Sequence, residues 1–287
     1  MAKIQVPNDF GPAGALEWFS NWRGVANEPE LEITFSDTAS FDDAHSLVRP
    51  AVLALIASSV AARGARGLLT TVNPVGARVH PLTFAIAGLV KLGRGGAGLA
   101  YGLPDKPTYT LRQISTMRDA HELAEKAGNG LELQAPDLSP SVVRMARFVF
   151  EELGANVVQH SLAPSTGFGL VHADPTARRF DLAFADCGVG FLTSLQRNPE
   201  LKGRLHDDAE ALQVAINPRI TGASNPRTNM GVGLKLLTDF SDLLGGDLWI
   251  ASGSALLQRR STAGQRTNVI RSIPEWRGAW ICIEAPI

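Results

Sequence analysis

Residues 152–160, Glu152-Leu-Gly-Ala-Asn156-Val-Val-Gln-His160, and residues 186–190, Asp186-Cys187-Gly188-Val189-Gly190, decide how this chain is read. The first segment closes a run in which Val142, Val143, Met145, Ala146, Val149, Phe150, Leu153 and Val157 recur at helical spacing. That run starts at Asp137-Leu-Ser-Pro140-Ser, with proline in the first turn, so a helix of about five turns is expected to reach His160. Four-residue steps put Glu152, Asn156 and His160 on one face of it, opposite the apolar stripe. The second segment directly follows Phe180-Asp-Leu-Ala-Phe-Ala185, a strand pattern, and its two glycines let the backbone turn sharply and approach a ligand closely. Further on, Gly231-Val232-Gly233-Leu234 opens an apolar run to Leu244, so backbone N–H groups and the positive end of a helix face an anion there.

Working outward, residues 169–173 read as a strand paired through the turn Asp174-Pro175 with the strand at 180–185, and the tail supplies strands at 247–251, 267–272 and 279–283. Upstream, residues 31–35 alternate as a strand, residues 36–43 supply turn and cap residues, and an apolar helix follows over 47–62. A second strand at 67–72 is broken by Asn73-Pro74 before another apolar run at 81–92. A polar helix is expected from Thr116, closed by Gly128 and Gly130. The predicted organisation is therefore two α/β domains, residues 1–118 and 119–287.

The composition fits two such domains. The chain has 287 residues, 45% hydrophobic and 19% charged, which excludes a disordered chain, and its net charge of −1 gives no global basic field for nucleic acid. Two cysteines allow neither a disulfide framework nor a four-ligand zinc site, and the longest apolar run, about 51–62, is too short to span a bilayer. A cytoplasmic protein without membrane association is the expectation.

Acid–amide helix, Asp-x-Gly-x-Gly after a strand, then Gly-x-Gly-Leu at a helix start form, in this order, the triplet of the Bergerat-type (GHKL) ATPases. From about residue 115 to 287 the chain resembles them, and the turn Leu244-Gly-Gly-Asp-Leu-Trp-Ile-Ala-Ser-Gly253 is similar to the histidine-kinase-like branch. The resemblance implies a Bergerat α/β sandwich, a mixed sheet with helices on one face, that binds ATP and Mg²⁺. It implies Asn156 as the Mg²⁺ ligand and Glu152 as the catalytic base that activates a water or hydroxyl. It implies Asp186 as the acceptor for the adenine amino group, Gly188 and Gly190 as the shapers of the adenine pocket, and Gly231, Val232, Gly233 and Leu234 on the phosphate side. The residues between Gly190 and Gly231, with Arg219, Thr221, Asn225, Arg227 and Asn229, would form a mobile lid.

The implied function is a regulatory ATPase or a serine or histidine protein kinase with a protein partner; the alternative is a nucleotide-gated interaction module with little turnover. Read from the residues alone, His160 is a helix-end histidine that stabilises the last carbonyls, and Cys187 is a small pocket-wall residue. Gly93-Arg-Gly-Gly-Ala-Gly98 satisfies a dinucleotide fingerprint but follows a helical run, so it reads as a loop. The N-terminal strand, Asp42-Asp43 turn and helix resemble a STAS-type domain, in which a serine follows the turn aspartate. Here Asp43-Ala44-His45 stands in that place, with Ser46 offset, and a docking role without chemistry is expected.

Overall fold

The computed structural model describes residues 1–7, 11–35, 51–73, 100–103, 106–174, 178–217, 233–262 and 265–287. In the N-terminal unit, strands β1 (Ala2–Gln5), β2 (Glu30–Thr34) and β3 (Leu69–Asn73) form a parallel sheet in that order. Parallel strands need crossovers. Helix α1 (Pro12–Val25) joins β1 to β2, and helix α2 (Ala51–Ala65) precedes β3. Helix α1 buries Ala15, Trp18, Phe19 and Trp22, one helical stripe. Helix α2 is buried on every side from Ala51 to Val60, because it lies between this sheet and a second one. Its last turn carries the buried Arg63, whose guanidinium donates to Thr70 Oγ1 (2.8 Å) and to the carbonyls of Ala26 (3.0 Å) and Leu69 (2.7 Å), tying the end of α1 to β3.

The second sheet has six strands in the order β4-β5-β6-β7-β9-β8. They are β4 (Ala100–Leu103), β5 (Lys106–Gln113), β6 (Phe168–Asp174), β7 (Arg179–Asp186), β8 (Asp247–Thr262) and β9 (Gln265–Pro286). Every pairing is antiparallel, so the expected mixed sheet is corrected to an antiparallel one. Helices α3 (Met117–Gln134), α4 (Pro140–His160), α5 (Gly190–Leu195), α6 (Asp208–Ala215) and α7 (Gly233–Leu243) complete the unit.

Alternation along the strands sorts the two faces of this sheet. Phe180, Leu182 and Phe184 of β7 pack with α3, α4 and α7, while Ala183 and Ala185 face the N-terminal helices, their small side chains admitting α2 at close range. Phe19 of α1 meets Trp276 and Trp280 of β9 with ring centroids 5.3 and 5.8 Å apart. The unit's own helices α3, α4 and α7 lie on one face of the sheet, as expected, and α1 and α2 of the N-terminal unit cover the other. In β8 the alternation reverses, Trp249 and Ala251 sharing a core with Leu256, because the register slips at Ser252–Ala255 where Gly253 has a φ of +57°.

The division at 118/119 falls inside this unit, since β4 and β5, which precede it, are strands of the six-stranded sheet. Helix α3 also runs through Gly128 and Gly130 to Gln134. Gly128 is a packing residue there, because a β-carbon would collide with the Arg147 side chain of α4. Part of the expected lid is regular structure: α5 and α6 lie in it, and Ala211 and Leu212 of α6 are fully buried. The remaining lid positions named above, like Asp42, Asp43, Ala44, His45, Ser46 and residues 93–98, lie outside the described residues. Among the described residues, no helix is long and apolar enough to cross a membrane.

Candidate functional site

Helix α4 starts as its sequence requires, with the Ser139 hydroxyl accepting from the Val142 N–H and proline in the first turn. Its C-terminal end meets the segment that follows β7. Val189 N–H donates to the Ser161 carbonyl at 3.0 Å. A β-carbon on Gly188 would collide with that same carbonyl, so only glycine allows the turn to lie this close to the helix end. Leu162 then reverses the chain with a φ of +56°, an uncommon conformation for a branched residue.

Asp186 is the last residue of β7 and only 7% exposed. Its carboxylate accepts from the Gly188 N–H at 2.8 Å and from the Ala279 N–H of β9. Burial pushes this carboxyl up to about 6, and the two N–H donors oppose the shift. Gly278 lies beside it with a φ of +114°, and a β-carbon there would collide with the Asp186 carbonyl. The Ser252 hydroxyl accepts from Phe191 N–H and donates to the Gly278 carbonyl, both at 2.9 Å, and so fastens the Gly190 turn to β8 and β9. Gly190 itself has a φ of +72°.

Cys187 donates its N–H to Thr166 Oγ1 at 3.0 Å, and its sulfur accepts from Ser58 Oγ at 3.2 Å. Burial pushes the thiol up to about 12, so it stays protonated, as suits a wall residue and not a redox centre.

On α4, Glu152 and Asn156 are half-buried, one turn apart. Burial, helped by the charge of Glu151, raises the Glu152 carboxyl above the ordinary glutamate range. His160 is held below its ordinary value by burial and by Arg197. Helix α7 packs against α4, and Leu234 is buried in the same core as Leu153 and Val157. Gly233 begins α7, while Gly231 and Val232 lie outside the described residues.

Glu152, Asn156, Asp186, Gly188 and Gly190 thus lie on two segments bonded directly to each other, and α7 packs against the first of them. Gly278, Ser252 and Thr166 also belong to this assembly and were not singled out from the sequence. Gly278 carries a readable signal, a glycine between Trp276 and Trp280 inside a strand, which marks close backbone approach. Ser252 and Thr166 carry none, since single hydroxyls in strands and turns are common. Among the described residues, no group of three His, Cys, Asp or Glu side chains gathers to hold a metal ion. No family model matches the chain, and no curated protein does.

Proposed function

We propose that the C-terminal unit binds Mg²⁺-ATP and works as a regulatory ATPase or as a serine or histidine protein kinase of the histidine-kinase-like class, acting on a protein partner. The observation that carries this reading is Asp186. It is a buried carboxylate at a strand end, fixed by two backbone N–H groups, in a glycine-built turn bonded to the helix that bears Glu152 and Asn156. A buried acceptor of this kind selects a base with an amino group and rejects one with a carbonyl in that place.

The residues present fit such a ligand. Mg²⁺ bound mainly by phosphate oxygens and water needs few protein ligands, which suits the single amide of Asn156, and it supplies charge neutralisation on the phosphates. Glu152 receives the proton of the attacking water or hydroxyl, and its raised carboxyl brings it nearer neutral pH, where a general base is effective. By the family resemblance, Gly231, Val232, Gly233 and Leu234 are the residues proposed for the phosphate side. The cytoplasm is the proposed setting, in keeping with Cys187 and Cys282, neither of which is in a disulfide.

Packing of α2 behind the Asp186 turn favours a second reading, a nucleotide-gated interaction module in which turnover is incidental. Thermal shift with ADP, ATP and GTP tests the site: adenine nucleotides are expected to raise the melting temperature and GTP much less. Equal shifts with all three remove the adenine assignment. Phosphate release, measured with and without protein partners, then separates enzyme from module.

A further inference from the structure

Two buried serines interrupt the apolar run of α2, and they face different units. Ser59 stays within the N-terminal unit, donating to the Leu55 carbonyl at 2.7 Å and accepting from Trp18 Nε1 at 3.2 Å. Ser58 instead donates to Cys187 Sγ at 3.2 Å, 129 residues away in sequence. A helical serine has a ready acceptor in the carbonyl four residues earlier, so its use of a distant sulfur marks a contact made by the docking of the two units.

The tie lands on the residue between Asp186 and one of the two donors that fix it. Cys187 separates Asp186 from Gly188, whose N–H holds one side of the carboxylate. Thr166 Oγ1, in the short 3₁₀ turn Pro164–Thr166 against which α2 also packs, takes the Cys187 N–H. The other donor is Ala279, and its neighbour Trp280 donates from Nε1 to the Ala51 carbonyl at the start of α2, at 3.2 Å. Both N–H groups on the carboxylate therefore belong to segments anchored on α2.

We infer that α2 of the N-terminal unit is the rear wall of the nucleobase end of the site, and that Ser58 is a positioning residue for Asp186, acting through Cys187. The inference rests on the nucleotide reading of Asp186. It also makes the coupling reciprocal: whatever shifts α2 changes nucleotide affinity, and nucleotide changes the hold on α2.

The test uses the full chain and ADP, with affinity measured by calorimetry across pH 5–8. Ser58→Ala and Cys187→Ala are each expected to weaken ADP binding about three- to tenfold, the size of one lost hydrogen bond. The double variant is expected to be no weaker than either single one, because the two residues act as a pair. Cys187→Ser keeps an acceptor for Ser58 and is expected to retain near-wild-type affinity. The pH at which ADP binding falls off is expected to move in Ser58→Ala and to stay in place in Cys187→Ser. Melting without nucleotide is the control, since a merely structural serine lowers the melting temperature and leaves both affinity and its pH profile unchanged. Wild-type ADP affinity in Ser58→Ala and Cys187→Ala, with binding lost in Asp186→Asn, overturns this inference alone. A wild type that does not bind ADP overturns the nucleotide reading and this inference with it.

Discussion

The Val189 N–H donates to the Ser161 carbonyl at 3.0 Å, so the helix bearing Glu152 and Asn156 and the turn bearing Asp186 are joined directly through the backbone. Their relative placement is set by backbone, not by long flexible side chains, and geometry of that kind suits a site that positions a ligand.

Glycine at 188 and 278 is therefore expected to be indispensable. Gly188→Ala and Gly278→Ala each drive a β-carbon into a backbone carbonyl, of Ser161 and Asp186 respectively, and are expected to cost about 1–3 kcal/mol or more. Gly203→Ala is the control: its φ is +75° with open space around it, so conformational strain alone, about 1 kcal/mol, applies. Urea unfolding midpoints of the three variants should separate them in that order.

Asp186 makes stability depend on pH in a defined direction. Its carboxyl titrates at about 6 in the folded chain against an ordinary 3.8, so the folded state resists the charged form. Below both values the group is protonated in either state and no penalty applies; above 6 the penalty is complete. Stability is expected to fall as pH rises from about 4 to about 6, by about 3 kcal/mol for a shift of roughly two units. Asp186→Asn should lose this dependence and unfold later than the wild type at pH 8, with the difference closing towards pH 4. Nucleotide binding should fall in the same variant, a gain of stability with loss of function.

Glu152→Gln separates chemistry from binding. The amide keeps size and hydrogen bonding but no longer accepts a proton, so ADP affinity is expected to survive while phosphate release falls about 10²–10⁴-fold. Wild-type turnover should rise with pH through a midpoint above the ordinary glutamate range, as the raised carboxyl requires, and the variant should show no such limb. Asn156→Ala should instead lower Mg²⁺-dependent nucleotide binding. Unchanged turnover in Glu152→Gln would sink the general-base role.

Residues 100–287 hold the whole six-stranded sheet but not its cover. Without α1 and α2 the face carrying Ala183, Ala185, Trp276 and Trp280 is exposed, an apolar patch beyond what a soluble monomer tolerates. The fragment is expected to bind a hydrophobic dye and to self-associate, and added residues 1–99 should suppress both. A monomeric fragment that binds no dye would show that the sheet needs no cover.

Much of the local structure was legible because it rests on short-range physics. Proline in the first turn and the 3.6-residue spacing from Val142 to Val157 specify α4, and alternation ending in Asp186-Cys-Gly-Val-Gly specifies β7 and its turn. Strand partners are different, because they are chosen by contacts far apart in the chain. The expected division at 118/119 takes no account of β4 and β5, which lie before it and yet add to the edge of the sheet next to β6. Glycine has the same ambiguity: Gly128 reads as a helix stop, yet the helix runs through it and the Arg147 side chain lies across it. The uniformly apolar stretch of α2 announced burial but not between which surfaces. The sequence by itself determined which helices and turns carry Glu152, Asn156 and Asp186. The tertiary structure alone decided that the N-terminal helices cover the sheet face behind the Asp186 turn, since burying two apolar faces against each other is a property of the assembled units and not of either segment.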